Sequence, residues 1–132
     1  MMVDRVELTK IATARLKDSE ALFSSQRYDG AIYLCGYAVE TALKARICST
    51  LGWVGYPSTR KEFEKYHTFR THDLDVLLSL SGLEAKVKKD FLAEWSIVAT
   101  WDPEIRYKSI GSVTSLAAAL MIAASQALLR VL

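Results

Sequence analysis

The 132-residue chain has only six glycines and two prolines. A sandwich or barrel, which must turn every ~8–12 residues, needs more turn formers than that. Two cysteines exclude a disulfide scaffold. The only histidines, His67 and His72, belong to no HExxH pattern and have no neighbouring cysteine, so a zinc site lacks ligands. No GK[ST] follows the close pair Gly52 and Gly55, which excludes a P-loop, and nothing resembles a nucleophile elbow. Metal, cofactor and acyl-transfer chemistry are therefore not expected. A strong charge of one sign is missing too: 17 Lys and Arg against 15 Asp and Glu leave +2, too little for a whole-protein nucleic-acid or membrane field.

What is present is apolar and helix-forming. With 51% hydrophobic residues the chain can bury one core, and its length leaves no room for a second domain, so residues 1–132 read as a single helical domain. From Asp4 to about Ser25 the residues Val6, Ile11, Ala14, Ala21 and Leu22 form a helical stripe, with Asp4 and Glu7 spaced as a capping box. Asp29 is the expected N-cap of a second helix reaching about Cys48, whose small face (Ala31, Leu34, Cys35, Ala38, Ala42, Ala45) admits a close neighbour. A further face carries Tyr33, Tyr37, Glu40 and Lys44 at spacings of 4, 3 and 4. It reads either as an exposed Glu–Lys pair beside two half-buried phenols or as a polar groove.

The stretch 51–71 opens as a loop, and Thr59 to His67 can form one or two helical turns. Thr71 is the expected cap of a short helix with Asp73 and Asp75 in its first turn. Ser81 and Glu84 form a second capping box, launching a helix with the stripe Leu83, Val87, Phe91, Trp95 and Val98, which Pro103 ends. The last helix, from about Ser112 to Leu132, is apolar on nearly all sides and is therefore central or shared with another subunit. Four main helices joined mostly by short connections predict an all-α antiparallel bundle of four to five helices.

Cys35 and Cys48 lie 13 positions apart on one helix. That is about 20 Å, too far to bridge, and with no apolar leader the unpaired thiols point to a reducing cytoplasm. Ile110 to Leu129 runs without a charge for the length of a bilayer span, but serines and threonine dilute its ends and no aromatic belt follows. It is expected to be a buried helix of a protein that does not enter the membrane.

By segment the net charge is +1 over 1–52, +2 over 53–72, −2 over 73–100 and +1 over 101–132. The most basic stretch interleaves Trp53, Tyr56, Phe63, Tyr66 and Phe69 with Arg60, Lys61, Lys65 and Arg70, either a nucleic-acid surface or aromatics packed on the bundle with solvated charges. Arg60 and His67 would share one face of a helix over 59–67. An Arg holding phosphate and a His moving a proton could cleave RNA without metal, although Glu64 offers Arg60 a plainer partner.

The run RYDGAIYLCGYAVETALKARI at 27–47, THDLDVLL at 71–78, and Arg106–Tyr107 ahead of the last apolar helix together resemble the HEPN domain, the higher eukaryote and prokaryote nucleotide-binding family. The resemblance implies a helical bundle that forms a two-fold homodimer, often beside a minimal nucleotidyltransferase partner in a toxin–antitoxin-like system. Many members are metal-independent ribonucleases whose Arg, followed four to six residues later by His, sits at the start of the last helix. Here Arg106 is in place, but Gly111, Ser112 and Val113 stand where that His would fall, and Phe69 stands where a modified tyrosine would follow His67. Catalytic residues therefore stay open among Arg60, His67, His72 and Arg106. Glu40, Lys44 and His72 match positions commonly polar in the family, and with Arg106 and Tyr107 they are the candidate nucleotide- or RNA-binding residues. The expected activity is binding of nucleotide, RNA or the nucleotidyltransferase partner. An active ribonuclease toxin and a structural subunit of a larger complex are the alternatives.

Overall fold

A computed structural model describes residues 2–132. Among them are six α-helices: α1 (Arg5–Ser24), α2 (Tyr28–Leu51), α3 (Leu74–Ser81), α4 (Glu84–Asp90), α5 (Leu92–Val98) and α6 (Ser115–Leu129). Short 3-10 turns cover Glu62–Lys65, His67–Phe69 and Pro103–Tyr107. The all-α architecture is as the helical periodicities predict. One feature without a sequence signal is a two-stranded antiparallel ribbon, β1 (Val3–Asp4) with β2 (Gly55–Tyr56), pairing Val3 with Tyr56 and Asp4 with Gly55. It ties the start of α1 to the 51–73 excursion.

The organising element is α2, buried along most of its length through Ala31, Cys35, Ala38, Val39, Leu43 and Ile47. Helices α1, α3 and α6 pack around it, and α5 packs on α6. Its small residues allow this crowding, because helices approach closely where side chains are short. The closest approach is at Gly36, where an added Cβ would stand 2.0 Å from the Trp101 ring. Trp101 is itself only 5% exposed. Its indole lies directly on the α2 backbone, which seats the segment returning from α5.

Several local expectations need correction. In α1 Asp4 does cap, accepting from the Val6 amide at 2.7 Å, but the buried face is Leu8, Ala12 and Ser19, while Val6 is 57% exposed. Ser19 belongs to the inner face because its hydroxyl donates to the Ala31 carbonyl at 2.6 Å. A satisfied hydroxyl can be buried, and a stripe of apolar letters does not register it. Asp29 is not the cap of α2; the helix begins at Tyr28, after a tight link in which Gln26 adopts a positive φ of 61°. The Asp29 carboxylate instead accepts from the Gly111 and Val113 amides at 2.6 and 3.1 Å. Asp73, not Thr71, caps α3, accepting from the Asp75 and Val76 amides. The helix predicted to start at Ser81 divides at Phe91 into α4 and α5.

The last helix starts at Ser115, with Thr114 as its cap, rather than at Ser112. It buries Ala118, Met121, Ile122, Ala124, Ser125 and Leu128, yet leaves Leu116 67% and Leu120 47% exposed. Cys35 and Cys48 are buried free thiols, and burial pushes both above the usual thiol range. Cys35 also donates to the Ser125 hydroxyl at 3.0 Å, linking α2 to α6. Among the described residues no helix is long and apolar enough to cross a membrane.

The contact at Gly36 gives a test. Gly36→Ala forces a methyl into the Trp101 ring and is expected to cost about 1–3 kcal/mol, the range for overpacking a filled core. Urea denaturation followed by tryptophan fluorescence measures it. An unchanged midpoint would mean that Trp101 does not rest on α2.

Candidate functional site

The face of α2 that carries Tyr33, Tyr37, Glu40 and Lys44 is a polar seam inside the fold. Glu40 is its centre, with a side chain only 5% exposed. One carboxylate oxygen meets His72 Nδ1 at 2.7 Å and the other accepts from Lys44 Nζ at 3.2 Å. A buried carboxylate needs such partners, since desolvation without them is costly. His72 reaches it from the loop before α3, and its ring stays 59% exposed. The plain reading of Glu40 and Lys44 as an exposed pair is therefore incorrect: Lys44 is 19% exposed and lies 5.4 Å above the Tyr56 ring.

Aromatic edges fix the remainder of the seam. Tyr37 packs edge-on against Tyr33, Trp101 and His72, with ring centroids 5.2, 5.0 and 6.3 Å away. Burial, followed by the hydrogen bond to Tyr33 and the charge of Glu40, pushes the Tyr37 phenol up to about 12. Burial also lifts Tyr56 well above the usual phenol range, and its hydroxyl donates to the Phe69 carbonyl. The Arg106 guanidinium lies 4.7 Å from the Tyr107 ring and is held protonated first by that phenol and then by Tyr33. Tyr107 is 73% exposed at the rim.

Three hollows follow the seam. One, about 230 Å³, includes Asp29, Tyr33, Arg106 and Lys108. The next, about 550 Å³, is walled by His72, Trp101 and Arg106 together with Asp73, Asp75, Asp102 and Glu104. A third, about 450 Å³, lies between α2 and the excursion and includes Lys44, Tyr56, Arg70 and His72. Arg106 is shared by the first two and His72 by the last two.

Folding thus brings Glu40, Lys44 and His72 into direct contact and sets His72 and Arg106 on one hollow, with Tyr107 beside Arg106. Arg60 and His67 are not joined. Instead of one helix over 59–67 there are two 3-10 turns separated at Tyr66, whose ψ of 45° breaks the register, so the two side chains share no helix face. Thr59 and Glu62 cap the first turn reciprocally, each side chain accepting from the other's amide. The aromatics of the excursion pack together and inward: Tyr56 and Phe63 are buried, and the Trp53 and Phe69 rings pack in a tilted pair with centroids 4.9 Å apart. They are not a free stacking platform. Arg70 and Trp101 are residues of the candidate site that the sequence alone does not assign to it. For Arg70 the only signal was its place in the most basic segment. Among the described residues no cluster of His, Cys, Asp or Glu is arranged to hold a metal ion.

Two outcomes are expected from this geometry. Glu40→Ala leaves Lys44 half-buried and unpaired and frees the His72 ring, at a cost of about 2 kcal/mol. Chemical denaturation measures the loss, and added mobility of the His72 ring resonances should accompany it. Tyr37 stabilises the fold fully below the free-phenol range near pH ~10 and loses that contribution as pH rises toward 12, because the unfolded chain releases the proton first. Ultraviolet titration of the six tyrosines should show one fewer ionising late in Tyr37→Phe, with a flatter alkaline limb of stability.

No curated protein and no solved structure matches the chain. The family model described as the HEPN domain matches residues 6–61, which takes in nearly all of α1, the whole of α2 with its Tyr33–Lys44 seam, and the opening of the excursion. Over α1 and α2 the chain is thus similar to a HEPN domain, in agreement with the resemblance read in the run 27–47.

Proposed function

We propose that this helical protein binds a nucleotide or RNA along the α2 seam and lacks the ribonuclease pair usual at the last helix of the family. The observation that carries the reading is Glu40, buried and divided between His72 and Lys44. It fixes an imidazole and an ammonium at a surface whose other end is Arg106. In this reading Lys44 and Arg106 contact phosphate, Tyr107 stacks on a base, and Glu40 positions Lys44. The absence of a histidine after His72 supports binding over cleavage.

A second reading has one observation in its favour. His72 and Arg106 wall the same hollow, and Glu40 holds His72 through Nδ1 so that Nε2 is left for proton transfer. That is the arrangement a metal-independent ribonuclease with a displaced pair would use.

The exposed apolar residues Leu116 and Leu120 lie one turn apart on α6, near the 99% exposed Ile110. An unpartnered apolar helix face supports a homodimer of this chain in a reducing cytoplasm. A minimal nucleotidyltransferase would then be an additional partner, not the occupant of that face.

Labelled single-stranded RNA incubated in EDTA tests the two readings together. The binding reading expects retention of intact RNA, weakened about tenfold or more in Lys44→Ala and in Arg106→Ala, as for loss of a charge-assisted contact. Cleavage abolished by His72→Ala would establish the second reading instead. Light scattering tests the dimer: Leu116→Lys with Leu120→Lys should halve the mass, and a monomeric wild type would remove this part of the proposal.

A further inference from the structure

Within the seam the hollows differ in charge. The 550 Å³ hollow is lined by four carboxylates, those of Asp73, Asp75, Asp102 and Glu104. Three of them have structural tasks: Asp73 caps α3, Asp102 caps the 3-10 turn at Pro103, and Asp75 accepts from the Trp95 indole at 2.9 Å. Their charges nonetheless face the hollow, and a phosphate placed there meets repulsion. The 450 Å³ cleft on the other side of His72 has no carboxylate in its lining. It presents Lys44, Arg70 and the His72 ring, with the Ser58 and Thr71 hydroxyls among its lining groups.

We infer that this cleft, between α2 and the excursion, is a phosphate subsite for a nucleoside di- or triphosphate or a terminal phosphate of RNA, held by Lys44, Arg70 and His72. The inference rests on the nucleotide reading above and moves its phosphate away from Arg106. Three facts support it. Glu40, beneath the cleft, is divided between His72 and Lys44, and Glu62, which accepts from the Ser58 hydroxyl at the edge, is engaged by the Thr59 amide and hydroxyl, so two permanent cations and an imidazole line a cleft whose nearby acids already have partners. The two cations lie over rings, Lys44 5.4 Å from Tyr56 and Arg70 5.9 Å from Phe63, and a ring face steadies a cation without neutralising it. Among the described residues no carboxylate lies within ion-pair distance of Arg70, which leaves its planar fork free for a two-point contact with phosphate.

The cleft is also assembled rather than open surface. Its lining comes from α1, α2, the stretch after β2 and the loop before α3. Val3, Leu8, Pro57 and Phe63 supply apolar walls, which lower the local dielectric and strengthen the pull on an anion. Arg70 is exposed, so truncating it removes a ligand contact and little of the core.

The test is isothermal titration of the full chain with inorganic pyrophosphate, ADP, GDP and the matching nucleosides, and with single-stranded RNA bearing or lacking a 5′-phosphate. The wild type should bind the diphosphates, pyrophosphate should compete with them, and the nucleosides should bind far more weakly. Arg70→Ala should weaken diphosphate binding about tenfold, with Arg70→Lys recovering part of it and nucleoside binding unmoved. If only the phosphorylated RNA responds to Arg70→Ala, the phosphate belongs to RNA ends. If diphosphates and RNA bind the wild type but Arg70→Ala binds them equally well while Arg106→Ala does not, the subsite is overturned and the nucleotide reading stands. If neither RNA nor any diphosphate binds, both are overturned. Unchanged thermal midpoints of the variants separate lost contacts from lost folding.

Discussion

Everything described at the site depends on one buried carboxylate. Glu40 sits on the central helix where water is excluded, and an ionised group there must be surrounded by donors. It obtains two, one from four residues along its own helix and one from a loop 32 positions away. The first fixes Lys44 over Tyr56 and so the root of the excursion. The second fixes His72 and so the entry into α3. A single acid thereby sets the distance between α2 and the two segments that close over it.

The second constraint is steric and lies one turn earlier. Gly36 has no side chain, so the Trp101 indole can lie on the α2 backbone, and Tyr37 beside it meets that ring edge-on. This contact brings the 101–107 segment, with Arg106 and Tyr107, to the same face of α2 that Glu40 organises. At the N-terminal end of the helix Asp29 does comparable work, gathering the Gly111 and Val113 amides and holding the approach to α6. Seen along its length, α2 recruits each segment of the candidate site through a different device: a missing side chain, a shared carboxylate, and an acid accepting two amides.

The parts legible in sequence were those with local periodicity. The helices of the bundle, the chain-long helical class, and the Tyr33–Tyr37–Glu40–Lys44 line all follow from spacings of three and four. What spacing could not give was which partner each polar residue would meet. Ser19 falls outside the apolar stripe because the acceptor that lets its hydroxyl be buried is on the next helix, and Asp29 looked like a cap because local rules favour that use of an acid before a helix. Arg60 and His67 looked like neighbours because a helix was assumed where Tyr66 breaks the turn. His72 entered through the THDL run alone; that it shares an acid with Lys44 is a tertiary fact with no trace in the letters. Arg70 was one cation among several, and only the closure of the excursion over α2 distinguishes it from Lys61 or Lys65.

That closure carries a thermodynamic consequence. The excursion is pinned at its base by the β1–β2 ribbon, at its middle by Phe63 and Trp53 in the aromatic cluster, and at its end by the Tyr56 hydroxyl on the Phe69 carbonyl. Its backbone is ordered before anything binds, so an incoming molecule does not have to supply the entropy of arranging the walls. Association with such a preformed surface loses only the freedom of the ligand and of a few long side chains. Selectivity of the proposed subsite at this edge of α2 would therefore be set during folding, by the fit of a fixed cleft, rather than by a rearrangement on contact.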